Sequence, residues 1–396
     1  MMQRLKITIF FGWLSMMAVA QVASDCDSVS ATLSERLDSL LLDPMFETSQ
    51  VGLMVYDLTA DSTLYTYNHR QLLRPASTMK LVTSITALDC LGPRYQYVTR
   101  LYYTGVISDS TLTGDLYCVG GFDPMLTIDD VATFAEQLQC LGVRAVHGRL
   151  LADRTMKEAL DYGEGWCWDD DNPLLSPLTI GRKSIFLDRL ATEMERVGIV
   201  VDTIATGEGR LPKGARQICS CRHGIEQVLQ RMMKESDNFY AESMFYQTAA
   251  SSGHRPAKAA DARNVTKRLI SRLGLGRFPY RIADGSGLSL YNYVSAELET
   301  MLLRYAFLHP DIFDTLLPAL PVAGVDGTLK KRMTSGPAYA NVCAKTGTLT
   351  GISSLAGYCT AADGHLLCFA IINQGIMRQA DGRGFQDRVC QVLCSQ

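Results

Sequence analysis

Several features are missing from this sequence, and each absence removes a class of protein. There is no basic excess: 38 lysines and arginines stand against 41 acidic residues in 396, a net charge of −3. No overall field therefore favours a nucleic acid partner, and no run of like charges forms a binding tail. Hydrophobicity is not low either. At 47% hydrophobic and 20% charged residues, disorder is excluded as the main state. Glycine and proline follow no low-complexity period, and no internal repeat is present. After the N-terminus no stretch reaches about 18 uncharged apolar residues, so the mature chain is not expected to span a membrane. There is no Cys-x-x-Cys pair and no His-Glu-x-x-His, and the histidines at 69, 147, 223, 254, 309 and 365 are scattered. That spacing predicts no metal site, and nothing implies an organic cofactor. No histidine lies close to a nucleophile motif, so a Ser-His-Asp triad is not expected, although triads are built in space and not in sequence.

What is present begins at the first residues. Arg4 and Lys6 precede an apolar run over 7–19, and Ala18-Val19-Ala20 supplies a small-x-small cleavage pattern. Residues 1–20 read as a secretory signal peptide. The mature chain is then periplasmic or secreted and begins near Gln21. Ser24-Asp25 makes a poor lipobox ahead of Cys26, so lipidation is not expected. Export permits disulfides among the twelve cysteines, but the pairing cannot be read from sequence. Several cysteines lie in strand-like runs such as Leu366–Ala370, where buried thiols fit equally well.

The length suggests two or three domains at about 100–200 residues each. Periodicity predicts helices over 28–42, 77–91, 128–141, 182–197, 223–249, 256–273, 294–307 and 382–394. Strands are expected at 51–58, 63–67, across 97–121, at 148–153, and near 340–347, 353–360 and 366–373. Strands cluster at the two ends of the chain. This predicts an α+β fold whose main antiparallel sheet joins N- and C-terminal segments, with other material inserted between.

Three short motifs carry chemistry. Ser77-Thr78-Met79-Lys80 places a lysine one helical turn from a serine. A serine hydroxyl attacks only when a base removes its proton, and a buried lysine can be that base. Taken alone, the motif is better explained by a capping serine and a surface lysine. Ser236-Asp237-Asn238 offers a hydroxyl to relay a proton and an amide to hold a carbonyl, though these residues also suit a helix end. Lys345-Thr346-Gly347, with Thr348 next, offers a cation and hydroxyls for a carboxylate. Its glycine lets a substrate lie against a strand edge; alone it is a strand end. In this order, the three are the signature of penicillin-binding proteins and class A β-lactamases.

Further segments narrow the resemblance. Asp284–Ser289 (DGSGLS), Pro321–Leu329 (PVAGVDGTL), Gly114–Tyr117, Gly165–Asp170 and Lys345–Gly351 resemble the low-molecular-mass class C penicillin-binding proteins. These are the penicillin-binding protein 4 type D-alanyl-D-alanine carboxypeptidase/endopeptidases, and the resemblance runs from about Ser28 to the C-terminus. There are departures. Leu290 stands where arginine is common, and Phe122 stands where a further glycine is common. Only 159 residues separate Ser77 from Ser236, whereas the family usually carries two nested inserts there.

The resemblance implies a serine β-lactamase/transpeptidase-like domain, an antiparallel sheet flanked by helices, over 21–96 and 177–396. A smaller inserted domain would occupy 97–176, with the chain returning to the main domain over 186–201. It implies a serine DD-peptidase acting on peptidoglycan stem peptides, with Ser77 as nucleophile and Lys80 as general base. Ser236, Asn238 and Lys345 would complete the catalytic set. Thr346, Gly347 and Thr348 would bind substrate, and backbone N–H groups of Ser77 and Thr348 would form the oxyanion hole. β-Lactams would be covalent inhibitors. No Glu-x-x-Leu-Asn motif follows Ser236, so a β-lactam ester should persist. A β-lactamase or esterase of the same fold, and a non-catalytic penicillin-sensing or wall-binding protein, are the alternatives. A homodimer is left open.

Overall fold

The computed structural model describes residues 32–170, 172–201 and 205–396; the expected signal peptide and Cys26 lie outside them. Among the described residues are two five-stranded sheets and one of three strands. The main sheet is built from both chain ends. Its order is Cys343–Leu349, Ile352–Thr360, Leu366–Gln374, Gln50–Asp57 and Ser62–Tyr67, with every neighbouring pair antiparallel.

The centre of this sheet is apolar on both faces, so it must be covered twice. Along Leu366–Gln374, Cys368, Ala370 and Ile372 face one core, while Leu367, Phe369 and Ile371 face another. The first core is closed by helices Met79–Leu91, Ile225–Lys234, Asn238–Ala250, Ala259–Arg272 and Ala296–Phe307. The second is closed by Leu33–Leu40 and the C-terminal helix Gln379–Cys394. Phe369 is fully buried, and burial of such a side chain stabilises by about 1.5–3 kcal/mol. The α+β class expected from the sequence is the class observed, with the main sheet joining the two ends.

The second sheet has the order Arg216–Gly224, Gln96–Tyr103, Leu116–Val119, Leu150–Asp153, Thr206–Glu208. Helices Ile128–Cys140 and Phe186–Arg196 cover it. Here the structure runs past the boundary expected at residue 176. Phe186, Leu190 and Met194, each one turn apart, form an apolar stripe in the core of the second sheet, and Phe186 packs edge-on against Phe134. The segment over 186–201 therefore does not return to the main domain. The return comes with Arg216–Gly224, which pairs antiparallel with Gln96–Tyr103, so the insert leaves and re-enters through neighbouring strands.

The helix expected over 223–249 is two helices. Ser236 interrupts it with φ of +60°, and Asp237 caps the second helix by accepting from the Phe239 and Tyr240 N–H groups. The eleven described cysteines are free thiols. Among the described residues no helix is long and apolar enough to cross a membrane.

Candidate active site

Ser77 sits in a single 3₁₀ turn, Ala76–Thr78, that feeds directly into the helix Met79–Leu91. Ala76 holds the left-handed φ of +48°, which costs a residue with a side chain on the order of 1–3 kcal/mol. Two glycines allow their segments to close on this turn. A Cβ on Gly287 would stand 1.8 Å from the Ala76 carbonyl oxygen. A Cβ on Gly347 would stand 2.0 Å from Ser354 Oγ, 2.6 Å from the Pro75 oxygen and 3.0 Å from the Ser77 nitrogen. Glycine at each position brings a motif strand or loop within reach of Ser77.

Lys80 is fully buried, and its Nζ donates to Ser77 Oγ at 2.9 Å, Asn238 Oδ1 at 2.8 Å and the Ser286 carbonyl at 2.8 Å. Burial pulls its pKa down to about 8, against the nearby carboxylates of Asp284, Glu242 and Asp237, which favour the charged form. Of the three partners only Ser77 carries a proton to give. A neutral Lys80 can keep its bonds to Asn238 and Ser286 and turn its lone pair to Ser77.

A second lysine faces the same cleft. Lys345 Nζ donates to Ser236 Oγ at 2.9 Å and to the Thr346 carbonyl at 2.7 Å. Burial, and then the charge of Lys80, hold its pKa well below the ordinary lysine range. Lys345 and Gly347 are two residues apart on an edge strand and so share a face. The edge leaves backbone groups available to an extended peptide. Thr346 Oγ1 bonds Thr328 Oγ1 at 2.7 Å, while the Thr348 side chain is exposed. Ser77, Ser236 and Asn238 are partly exposed, so a buried pair of lysines lies beneath a reachable row of polar groups.

Sequence reasoning missed Glu242 and Glu299, and it singled out the segments that hold Asp284 and Trp166 without giving those residues a role. Glu242, one turn beyond Asn238, is buried and accepts from the Gly285 N–H at 3.0 Å and the Ser286 N–H at 2.7 Å. Burial, then the Asp284 charge, raises its pKa to about 8. Asp284 accepts from Gly287 N–H, Ser289 N–H and the Asn292 amide, and from Trp166 Nε1 at 2.8 Å. Trp166 thus docks the segment around residue 166 on the loop that presents the Ser286 carbonyl to Lys80. Glu299, on the helix behind the turn, is buried against Thr78 Oγ1 at 2.6 Å. The four-residue spacing of Asn238 and Glu242 was a signal available in the sequence. Glu299 offered none, because its partner is 221 residues away.

Residues 33–179 and 181–396 match the model of the D-Ala-D-Ala carboxypeptidase 3 (S13) family. The chain belongs to that family. S13 relatives include the D-alanyl-D-alanine carboxypeptidase DacB of Haemophilus influenzae, 26% identical over 82% of this chain and 85% of that protein. The D-alanyl-D-alanine carboxypeptidase of Actinomadura sp. strain R39 is 28% identical over 91% of this chain and 85% of its own length. The crystal structure of penicillin binding protein 4 (dacB) from Haemophilus influenzae superposes with a TM-score of 0.83 at 22% identity. It covers 91% of this chain and 99% of that one. A second structure of that protein is a complex with a β-lactam. As an S13 member the chain is a serine-type hydrolase with DD-peptidase activity.

Proposed function

We propose that this S13 peptidase acts through a Ser77 acyl-enzyme on peptidoglycan stem peptides ending in D-Ala-D-Ala. The observation that carries the reading is Lys80 Nζ, buried and shared among Ser77, Asn238 and the Ser286 carbonyl. Ser77 Oγ bonds to the penultimate D-Ala carbonyl carbon and its proton passes to Lys80. The backbone N–H groups of Ser77 and Thr348 receive the developing oxyanion, a contribution of about 2.7–4 kcal/mol per donor in comparable sites. The C–N bond breaks as Ser236, linked to Lys345, delivers a proton to the leaving D-Ala amine. Water then hydrolyses the ester and restores Ser77. Lys345, Thr346 and Thr348 hold the terminal carboxylate, Gly347 lets the peptide lie along the strand, and Asn238 orients the acyl amide. The same chemistry opens cross-links that present the same D-Ala carbonyl. β-Lactams enter as substrates whose ester is not released. The enzyme works outside the cytoplasm, where its polymer lies.

The test is intact-protein mass against time after adding benzylpenicillin, with Ser77→Ala alongside. A lasting adduct of one penicillin, absent from the variant, is expected. An adduct clearing within minutes would reassign the chain as a β-lactamase. No adduct on either protein would overturn the Ser77 mechanism.

A further inference from the structure

A second group of reactive side chains lies in the second sheet, away from Ser77. Cys221 and His223 are two residues apart on the strand Arg216–Gly224, so they share a face. Asp123 follows the strand Leu116–Val119, and Asp130 is in the first turn of the helix Ile128–Cys140. A carboxylate oxygen of Asp123, Cys221 Sγ and a ring nitrogen of His223 lie within 4.8 Å of one another. His223 Nδ1 is 2.7 Å from Asp123 Oδ2, and its Nε2 is 4.0 Å from Asp130 Oδ2. Asp130 also contacts the Cys221 thiol and accepts the Thr127 cap.

These distances separate two roles. Two ligands of one tetrahedral ion, with bonds of about 2.1 Å, stand about 3.4 Å apart. The 2.7 Å contact between His223 and Asp123 is too short for that and is a hydrogen bond. With Nδ1–H donated to a buried carboxylate, the lone pair is left on Nε2. Nε2 lies 4.0 Å from Asp130 Oδ2, and Asp130 in turn contacts the Cys221 thiol. A carboxylate behind an imidazole is the usual support for a metal-bound histidine.

We propose that His223 Nε2, Cys221 Sγ and Asp130 bind one divalent cation of the zinc class, with Asp123 orienting the imidazole. The mixed nitrogen, sulfur and oxygen set selects such an ion over magnesium or calcium, which prefer oxygen alone. A solvent molecule completes four-coordination. Metal binding releases the thiol proton and forms a sulfur–metal bond without any change in oxidation state. The ion would fasten the returning strand to the second sheet just before Gly224 leads into the helix that ends next to Ser236. The linear spacing of the cysteines and histidines gave no sign of this, because strand, loop and helix meet only in the fold.

The experiment is titration of the chelator-treated mature protein with Co²⁺, read by absorption. A thiolate-to-cobalt charge-transfer band saturating at one ion per chain is expected. It should be absent from Cys221→Ser and Cys221→Ala and lost in His223→Ala. Asp123→Asn should weaken affinity about 10–100-fold. Acylation by benzylpenicillin, unchanged in each variant, certifies that it is folded. Absence of the band from the wild-type protein overturns the proposal. So does a band of full intensity in a folded Cys221 variant, since it would place the ion on another cysteine.

Discussion

Lys80 Nζ lies 2.9 Å from Ser77 Oγ with the lysine side chain wholly removed from solvent. In the proposed mechanism that pairing sets the pH at which the hydroxyl can be activated. The proton-accepting form is neutral Lys80, and its pKa is pulled down to about 8, chiefly by burial. The acylation rate with benzylpenicillin should therefore rise with pH and level off above about 8. Each unit below that value lowers the neutral fraction about tenfold, so pH 6 should be about 100-fold slower than the plateau. Stopped-flow acylation between pH 6 and 9.5 measures this, and a flat profile would remove Lys80 as the base.

Ser236 allows activity and stability to be moved in opposite directions. Its φ of +60° is strained for serine and natural for glycine. Ser236→Gly should leave the melting temperature unchanged or higher. It should also slow acylation about 10²–10⁴-fold, since Lys345 loses its hydroxyl partner. Calorimetry and acylation kinetics on the one variant decide it; loss of both together would make Ser236 a structural residue.

Gly347 is fixed by its neighbours and not by its own dihedral angles. In Gly347→Ala the new methyl meets Ser354 Oγ and the Pro75 carbonyl, and backbone cannot yield cheaply. A destabilisation of about 1–3 kcal/mol is expected, with acylation reduced by more than tenfold. Gly224→Ala is the control. Its methyl would meet only Gln227 Oε1 at 3.8 Å, and both readouts should stay near wild type.

Glu299 makes a different forecast, for stability against pH. Thr78 has one hydroxyl proton and lies 2.9 Å from the Pro75 carbonyl, so a protonated Glu299 can donate to Thr78 while Thr78 donates onward. Burial raises the Glu299 pKa to about 8, above its unfolded value. The folded form thus holds a proton that the unfolded chain releases. Its contribution is complete below about pH 4.5 and is lost as pH rises through 8. Wild-type stability should fall across this window by a few kcal/mol, on the order of 1.4 per unit, relative to Glu299→Gln. Urea unfolding of both proteins at pH 5 and pH 8 measures the difference; parallel slopes would show an ionised Glu299.

The α+β class was legible from short-range periodicity, the joining of the ends from the clustering of strands at both termini, and the grouping of the three motifs from the family resemblance. Helical spacing ties Lys80 to Ser77, and strand alternation ties Lys345 to Gly347. What could not be read depends on pairings that local pattern does not encode. The end of the insert was misplaced because Phe186–Arg196 is an amphipathic helix that would suit either core. Only the pairing of Arg216–Gly224 with Gln96–Tyr103 decides between them. The break at Ser236 was signalled by the polar run 234–238, which suits a helix end, but apolar periodicity on both sides led to one helix being expected. Glu242, Glu299 and Trp166 act through contacts with residues 43, 221 and 118 positions away, and the sequence does not say which residues those are.

The strand Gln50–Asp57 pairs along its whole length with Leu366–Gln374, more than 300 residues later. During synthesis at about 5–20 residues per second, it waits roughly 15–60 s for that neighbour. Throughout that interval one border of the growing sheet is open to stray pairing. Lys345 emerges near the end of the same interval, so Ser77 and Lys80 are made long before the strand that carries Lys345. On the proposed mechanism the chain stays inert until the strand Cys343–Leu349 has joined the sheet. A ribosome-stalled or C-terminally clipped chain should be both the most aggregation-prone form of this protein and one that leaves no mark on the wall.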